Sequence, residues 1–138
     1  MNPMGGDPRP LEAPDGAVVE WAPDGQSLVY ARQDRLYRVA RVGGDPVPLP
    51  ATPQLPNVFR FMPDGRSLIY SVIFGPREHQ ELWMLSLERG TVRQLTKLEG
   101  RRGGLNENFT TDGRDIYFTW REDDGDIWVM DTVPPEPD

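Results

Sequence analysis

The sequence predicts an all-β fold of three four-stranded antiparallel units, the third lacking a fourth strand of its own. Three observations carry this. Trp21-Ala22-Pro23-Asp24-Gly25-Gln26-Ser27-Leu28-Val29-Tyr30 recurs 40 residues later as Phe61-Met62-Pro63-Asp64-Gly65-Arg66-Ser67-Leu68-Ile69-Tyr70. A looser copy, Phe109-Thr110-Thr111-Asp112-Gly113-Arg114-Asp115-Ile116-Tyr117-Phe118, follows after a further 48. The chain has 14 glycines and 15 prolines, so turns are frequent and long helices are disfavoured. A period in this range marks a repeat architecture.

Each copy reads as strand, tight turn, strand. Pro23 and Pro63 supply the φ that the first corner of a type I turn needs, the aspartate can bond its own backbone, and the glycine accepts positive φ. Apolar residues follow four and six positions after the aspartate: Leu28 and Tyr30, Leu68 and Tyr70, Ile116 and Phe118. That is the period of a strand with a buried face. Thr111 replaces the proline in the third copy, which predicts a less rigid turn there. Ala13-Pro14-Asp15-Gly16 is a turn alone, since no alternating strand follows it.

The elements then fall in order. Gly5-Gly6-Asp7-Pro8-Arg9-Pro10-Leu11 is nearly identical to Gly43-Gly44-Asp45-Pro46-Val47-Pro48-Leu49, which closes the first full repeat. Residues 1–11 therefore read as the last strand of a preceding or closing unit. The first repeat, 17–49, holds strands near Ala17–Ala22, Ser27–Ala31, Leu36–Ala40 and Val47–Leu49. Prolines at 46 and 48 cannot donate to a ladder, so this fourth strand belongs at an edge. A proline-rich connector, residues 50–57, leads to the second repeat, 58–95. Its strands are Val58–Met62, Ser67–Ile73, Glu81–Leu87 and Val92–Leu95. The third repeat, 107–131, has Glu107–Thr111, Asp115–Trp120 and Asp126–Asp131, and residues 132–138 read as a disordered tail. Tyr37, Trp83 and Trp128 share one slot on the third strand, where the aromatic ring is expected to fill space between repeats. If fully buried, Trp128 would cost about 3–5 kcal/mol on truncation to alanine.

Four antiparallel strands per repeat of this length are the blade plan of a β-propeller, here an incomplete one. Three blades are fewer than propellers use to close a ring. The sequence thus predicts part of a longer propeller or, if the chain is complete, a head-to-tail homo-oligomer. Trp21-Ala22-Pro23-Asp24-Gly25, the Gly-Gly-Asp-Pro endings and Ile127-Trp128-Val129-Met130-Asp131 resemble the TolB-type propeller repeat, a relative of WD repeats. The resemblance covers almost the whole chain. Gly103-Gly104-Leu105 through Asp131 also resembles the closing blade of propellers fused behind bacterial serine/threonine kinases, although no kinase motif occurs in this chain. The resemblance implies an extracytoplasmic setting in bacteria; the chain shows no basic, apolar export signal at its start.

Composition narrows function further. A net charge of −7 argues against general nucleic-acid or anionic-membrane binding. The absence of cysteine removes disulfides, thiolate metal sites and a cysteine nucleophile. Nucleophilic catalysis needs a base beside the nucleophile; the single histidine, His79, falls in a loop, and no Gly-x-Ser-x-Gly elbow occurs. Ser27 and Ser67 sit at equivalent repeat positions and read as strand starts. Glu122-Asp123-Asp124-Gly125-Asp126 is acidic but misses the calcium-loop spacing, so it reads as a solvated hairpin turn. Arg101-Arg102, with Arg93 and Lys97, is a basic spot on an acidic chain.

The reading is therefore a non-catalytic binding module without cofactor or metal that presents loops to a protein or peptide partner. The alternative is an accessory propeller domain of a larger enzyme, a kinase or a prolyl-oligopeptidase-like peptidase. In a four-stranded meander the connections alternate between two ends. The Pro-Asp-Gly turns share one end with the Gly-Gly turns. The second-to-third-strand loops and the inter-blade connectors share the other, with Arg32, Phe74, Arg77, His79, Arg101, Arg102, Asn106, Arg121 and Glu122. Longer loops on a rigid scaffold carry function, so binding residues are expected at that end.

Overall fold

In the computed structural model the described residues are 10, 18–33, 35–74, 79–122 and 127–131. They form eleven strands and no helix: β1 (Val19–Trp21), β2 (Ser27–Arg32), β3 (Arg35–Ala40), β4 (Val47–Pro48), β5 (Phe59–Phe61), β6 (Ser67–Phe74), β7 (His79–Ser86), β8 (Val92–Gln94), β9 (Gly104–Thr111), β10 (Asp115–Arg121) and β11 (Ile127–Asp131). These pair as antiparallel meanders: β1-β2-β3-β4, β5-β6-β7-β8 and the three-stranded β9-β10-β11. Among the described residues the fold is an array of three blades with no ring closure. The proline-bearing β4 lies at a sheet edge, as its missing N–H groups require. Of the strand expected at residues 1–11 only Pro10 is described, and it is not in a strand; the loop residue Arg77, the acidic turn 123–126 and the tail 132–138 lie outside the described residues.

The alternation within each second strand decides how the blades stack. Residues four and six after the turn aspartate face the preceding blade, and the residue between them faces the following one. Leu68, Tyr70 and Val72 of β6, with Phe59 and Phe61 of β5, pack on Ala22, Val29, Leu36 and Leu49 of the first blade. On the other side of the same sheet, Ile69 and Leu82 pack on Leu105, Phe109, Ile116, Phe118 and Trp120 of the third blade. Leu28, Tyr30 and Val39 form a smaller cluster on the first blade's remaining face, where Tyr37 stacks on Tyr30 at 6.0 Å. Blade 2 is thus buried on both faces, which fits the near-continuous apolar run of β6.

The turns stack as well. Gly25 and Gly65 take φ of +68° and +70°, and Asp24 Oδ1 and Asp64 Oδ1 each accept from the backbone N–H two residues on, at 2.9 Å. A methyl group placed on Gly65 would lie 3.7 Å from Pro23 Cδ, and one on Gly113 would lie 3.4 Å from Pro63 Cδ. Each turn therefore rests against the proline of the turn before it.

The third hairpin differs from its sequence alignment. Trp21 pairs with Leu28 and Phe61 with Leu68, but Phe109 pairs with Phe118, a register shifted by two residues. Without proline, Thr111 stays in the ladder opposite Ile116. Its hydroxyl donates to the Asp115 carbonyl at 2.7 Å and accepts from Gly113 N–H at 3.0 Å, closing a tighter turn. The shift is an even number, so Ile116 and Phe118 keep the buried face. β9 also begins at Gly104, earlier than the sequence predicts, because a bulge lets Trp120 pair with Leu105 while Phe118 pairs with Phe109.

Candidate functional site: an aromatic cleft between the β8–β9 connector and blade 3

The connector from β8 to β9 is held from below. Glu81, at the start of β7, is 3% exposed. Its Oε1 accepts from the N–H groups of Leu98 (2.6 Å) and Glu99 (3.0 Å), and its Oε2 accepts from the Thr96 hydroxyl. Thr96 Oγ1 in turn accepts from Leu82 N–H at 2.8 Å. A buried carboxylate is tolerated only when its lone pairs are used in this way. The anchored backbone then makes a turn in which Arg101 N–H donates to the Leu98 carbonyl at 3.1 Å, leaving Arg101 and Arg102 exposed at the surface.

Behind them lies a cleft of about 250 Å³ lined by Leu98, Arg101, Arg102, Phe118, Trp120, Glu122 and Trp128. Its floor comes from β10: the alternation that buries Ile116 and Phe118 also buries Trp120. The Trp120 indole N–H donates to the Arg102 carbonyl at 3.1 Å and to Glu122 Oε1 at 2.8 Å, tying the connector to the end of β10. Gly103 makes this closeness possible. Its φ is +91°, and a methyl group there would lie 2.6 Å from each of the Arg121 carbonyl oxygen, Glu122 Cγ and Trp120 Nε1. Neither Arg101 nor Arg102 has an ion-pair partner among the described carboxylates. The cleft thus combines two guanidinium groups, an aromatic floor and one carboxylate already engaged by an indole.

Trp128 corrects the sequence reading. It is 47% exposed, because blade 3 has no fourth strand among the described residues and the cleft beside it is open. Trp83, in the same slot of blade 2, is half-buried against the first interblade core. The shared slot is therefore structural in one blade and forms a cleft wall in another.

The other candidate residues are distributed along the same end of the array. Arg101, Arg102 and Glu122 meet in the cleft, and Arg121 ends β10 beside it, opposite Gly104. Asn106 is a strand residue within the bulged part of β9, where a connector residue was expected. Phe74 and His79 are likewise strand residues; they pair across β6 and β7 and stack with ring centroids 5.7 Å apart. Arg32 ends β2, next to a shallower hollow of about 420 Å³ between blades 1 and 2, lined by Val18, Ala31, Gln33, Leu55, Pro56, Asn57 and Ile73. Sequence reasoning missed Trp120, Gly103 and Glu81. The period-2 alternation through Phe118 pointed to Trp120. Nothing local marks Glu81, whose partners lie 15 to 18 residues away.

Along the sheet edges formed by β1, β5 and β9, Arg60 of β5 links three strands. It lies 3.6 Å from Glu20 of β1 and over the Phe109 ring of β9 at 6.0 Å. Burial pushes the Glu20 carboxyl above its ordinary value, and Arg60 offsets part of that rise.

Antiparallel four-stranded blades stacked face to face define an incomplete β-propeller. Solved structures place it among TolB-type propellers in fold. Over 83% of the chain it is similar to TolB from Acinetobacter baumannii, with a TM-score of 0.61 at 22% identity. It is also similar to the tricorn protease (69% of the chain, TM-score 0.53, 21% identity) and to Kuenenia stuttgartiensis hydrazine synthase (74%, 0.55, 16%). The chain spans 29%, 10% and 30% of those three chains respectively, so the likeness is to part of each. No protein-family model and no curated protein sequence matches the chain.

Proposed function

We propose that the chain is a non-catalytic propeller module that binds a protein or peptide segment at the connector end, with the cleft between the β8–β9 connector and blade 3 as its principal contact. One observation carries this: two guanidinium groups without carboxylate partners among the described residues stand at the mouth of a cleft walled by Trp120 and Trp128. An apolar or aromatic side chain fits the cleft, and an acidic group beside it fits Arg101 and Arg102. Tryptophan and arginine are the residues that most often dominate binding energy at interfaces.

Selection of binders from a displayed random-peptide library tests this reading. Enriched peptides are expected to carry an aromatic or leucine beside an acid. Their binding should fall at least tenfold in Arg102→Ala and in Trp128→Ala and be unchanged in Gln26→Ala, at the other end of the blades. Binders that map instead to the turns around Gly25, Gly65 and Gly90 would sink it.

A second reading is supported by the comparisons. Similar segments lie inside larger chains named as a protease and a hydrazine synthase. An accessory propeller domain of a larger enzyme would use the same cleft toward its own catalytic domain or substrate. A kinase or hydrolase domain in the same reading frame would favour it.

A further inference from the structure

The same repeat position has different fates in the three blades. Leu36 of β3 is 1% exposed and Leu82 of β7 is fully buried, each covered by the next blade, whereas Ile127 of β11 is 82% exposed. Val29 and Ile69 are buried; Tyr117, their counterpart on β10, is partly exposed, as is Val129 on β11. Blade 3 therefore presents, uncovered, the face that blades 1 and 2 bury. Its outer edge is uncovered too. β3 pairs with β4 and β7 pairs with β8, while β11 pairs only with β10 among the described residues.

The two filled edges show what fits the third. Leu49 N–H donates to the Leu36 carbonyl at 2.9 Å, and Leu95 N–H donates to the Leu82 carbonyl at 2.8 Å. Both leucines pack into the interblade cores. The equivalent acceptor on β11 is the Ile127 carbonyl. The segment Gly5–Leu11 repeats Gly43–Leu49 at every position but one, where Arg9 stands for Val47. Residues 132–138 contain neither the glycine turn nor the leucine.

We propose that Gly5–Leu11 of a second copy of this chain adds to β11 as the fourth strand of blade 3, and that the second copy's blade 1 covers Tyr117, Ile127 and Val129. Connector lengths support this occupant. Nine residues lie between Leu49 and Phe59, eight between Leu95 and Gly104, and seven between Leu11 and Val19. A strand seated on β11 is thus followed by a connector of the length that elsewhere delivers the next blade. The blade delivered brings exposed Val19 and Trp21 on the face that meets its predecessor. Reciprocal exchange between two copies satisfies both open edges at once and closes with two-fold symmetry, which stops growth at a dimer. The proposal does not rest on the peptide-binding reading, although the added strand would pair beside Trp128, a wall of the cleft.

Sedimentation equilibrium of the 138-residue chain is the test. The expected mass is twice 15.7 kDa. Two variants are expected to sediment as monomers with unchanged far-ultraviolet circular dichroism. Leu11→Asp removes the leucine of the incoming strand. Val129→Pro removes an N–H that, by analogy with Arg38 opposite β4, points away from β10, where proline is tolerated. A synthetic Gly5–Leu11 peptide added to the Leu11→Asp chain should bind and shift tryptophan emission through Trp128. A wild-type monomer at every concentration, a dimer that both variants leave intact, or failure of the peptide to bind would each overturn the proposal.

Discussion

Glu81 is the residue on which the cleft most depends, although it does not line it. Its carboxylate accepts three hydrogen bonds that together fix residues 96–99. Glu81→Ala leaves those donors unsatisfied and is expected to cost about 2 kcal/mol, within the usual range for a stranded buried polar group. Urea denaturation measures that cost, and the same variant should weaken any ligand held by Arg101 and Arg102. Gly103 is constrained differently. Gly103→Ala drives a methyl group into the Arg121 carbonyl and the Trp120 indole, whereas Gly25→Ala meets nothing within 4 Å. Gly25→Ala should cost only the backbone strain of a positive φ, about 1 kcal/mol, and Gly103→Ala clearly more, as chemical denaturation will show. Asp112 gives the third hairpin a pH dependence. Hydrogen bonds from Asp115 N–H, Arg114 N–H and the Tyr117 hydroxyl hold its carboxyl below the ordinary value. A depressed carboxylate pKa stabilises the fold above the unfolded value, near 3.9, and that contribution is lost as pH falls through the folded value. Asp112→Ala should therefore lower the melting temperature at neutral pH, and the difference should shrink as the carboxylate protonates.

Among the elements, the third strands make the sharpest comparison. Leu82 and Ile127 occupy one repeat slot, so local sequence assigns them one role. Leu82→Ala, in a buried core, is expected to cost about 2–5 kcal/mol. Ile127→Ala, in the isolated chain, should stay within about 0.5 kcal/mol, as surface substitutions do. Equal losses in a denaturant series on the monomer would show that the open face of blade 3 is misassigned. Trp128 follows the same logic. Half its surface stays in water, so Trp128→Ala should cost about 1–2 kcal/mol, less than the full-burial figure. The third hairpin shows that a strand can survive a misread turn. Replacing proline by threonine moved the pairing by two residues, and an even shift leaves every side chain on its own face.

Across the whole molecule, stability should be graded. Blade 2 has an apolar core on each face, while blades 1 and 3 each have one interblade core. Amides of β6 and β7 are therefore expected to exchange most slowly with deuterium, and those of β11 fastest among the long strands. Uniform exchange across the three sheets would contradict the stacking described. The Glu20–Arg60–Phe109 link contributes little to this gradient: its charges are partly exposed, and ion pairs of that kind are worth at most about 1 kcal/mol.

The sequence by itself determined the blade plan, because that plan is written in local signals. Pro-Asp-Gly turns and period-2 alternation act over a few residues, and with the 40-residue recurrence they specified three antiparallel units and the alternation that buries their faces. It also placed the longer connections at one end of the array, since connection lengths follow from strand order. Only the tertiary structure formed the candidate cleft within that end. The cleft is built by contacts between residues far apart in the chain: Glu81 with Leu98, Trp120 with Arg102, Trp128 beside Phe118. No local pattern encodes such pairs. The exposure of Ile127 and Trp128 was equally beyond sequence reading, because burial of a repeat position depends on whether a neighbouring blade is there to cover it.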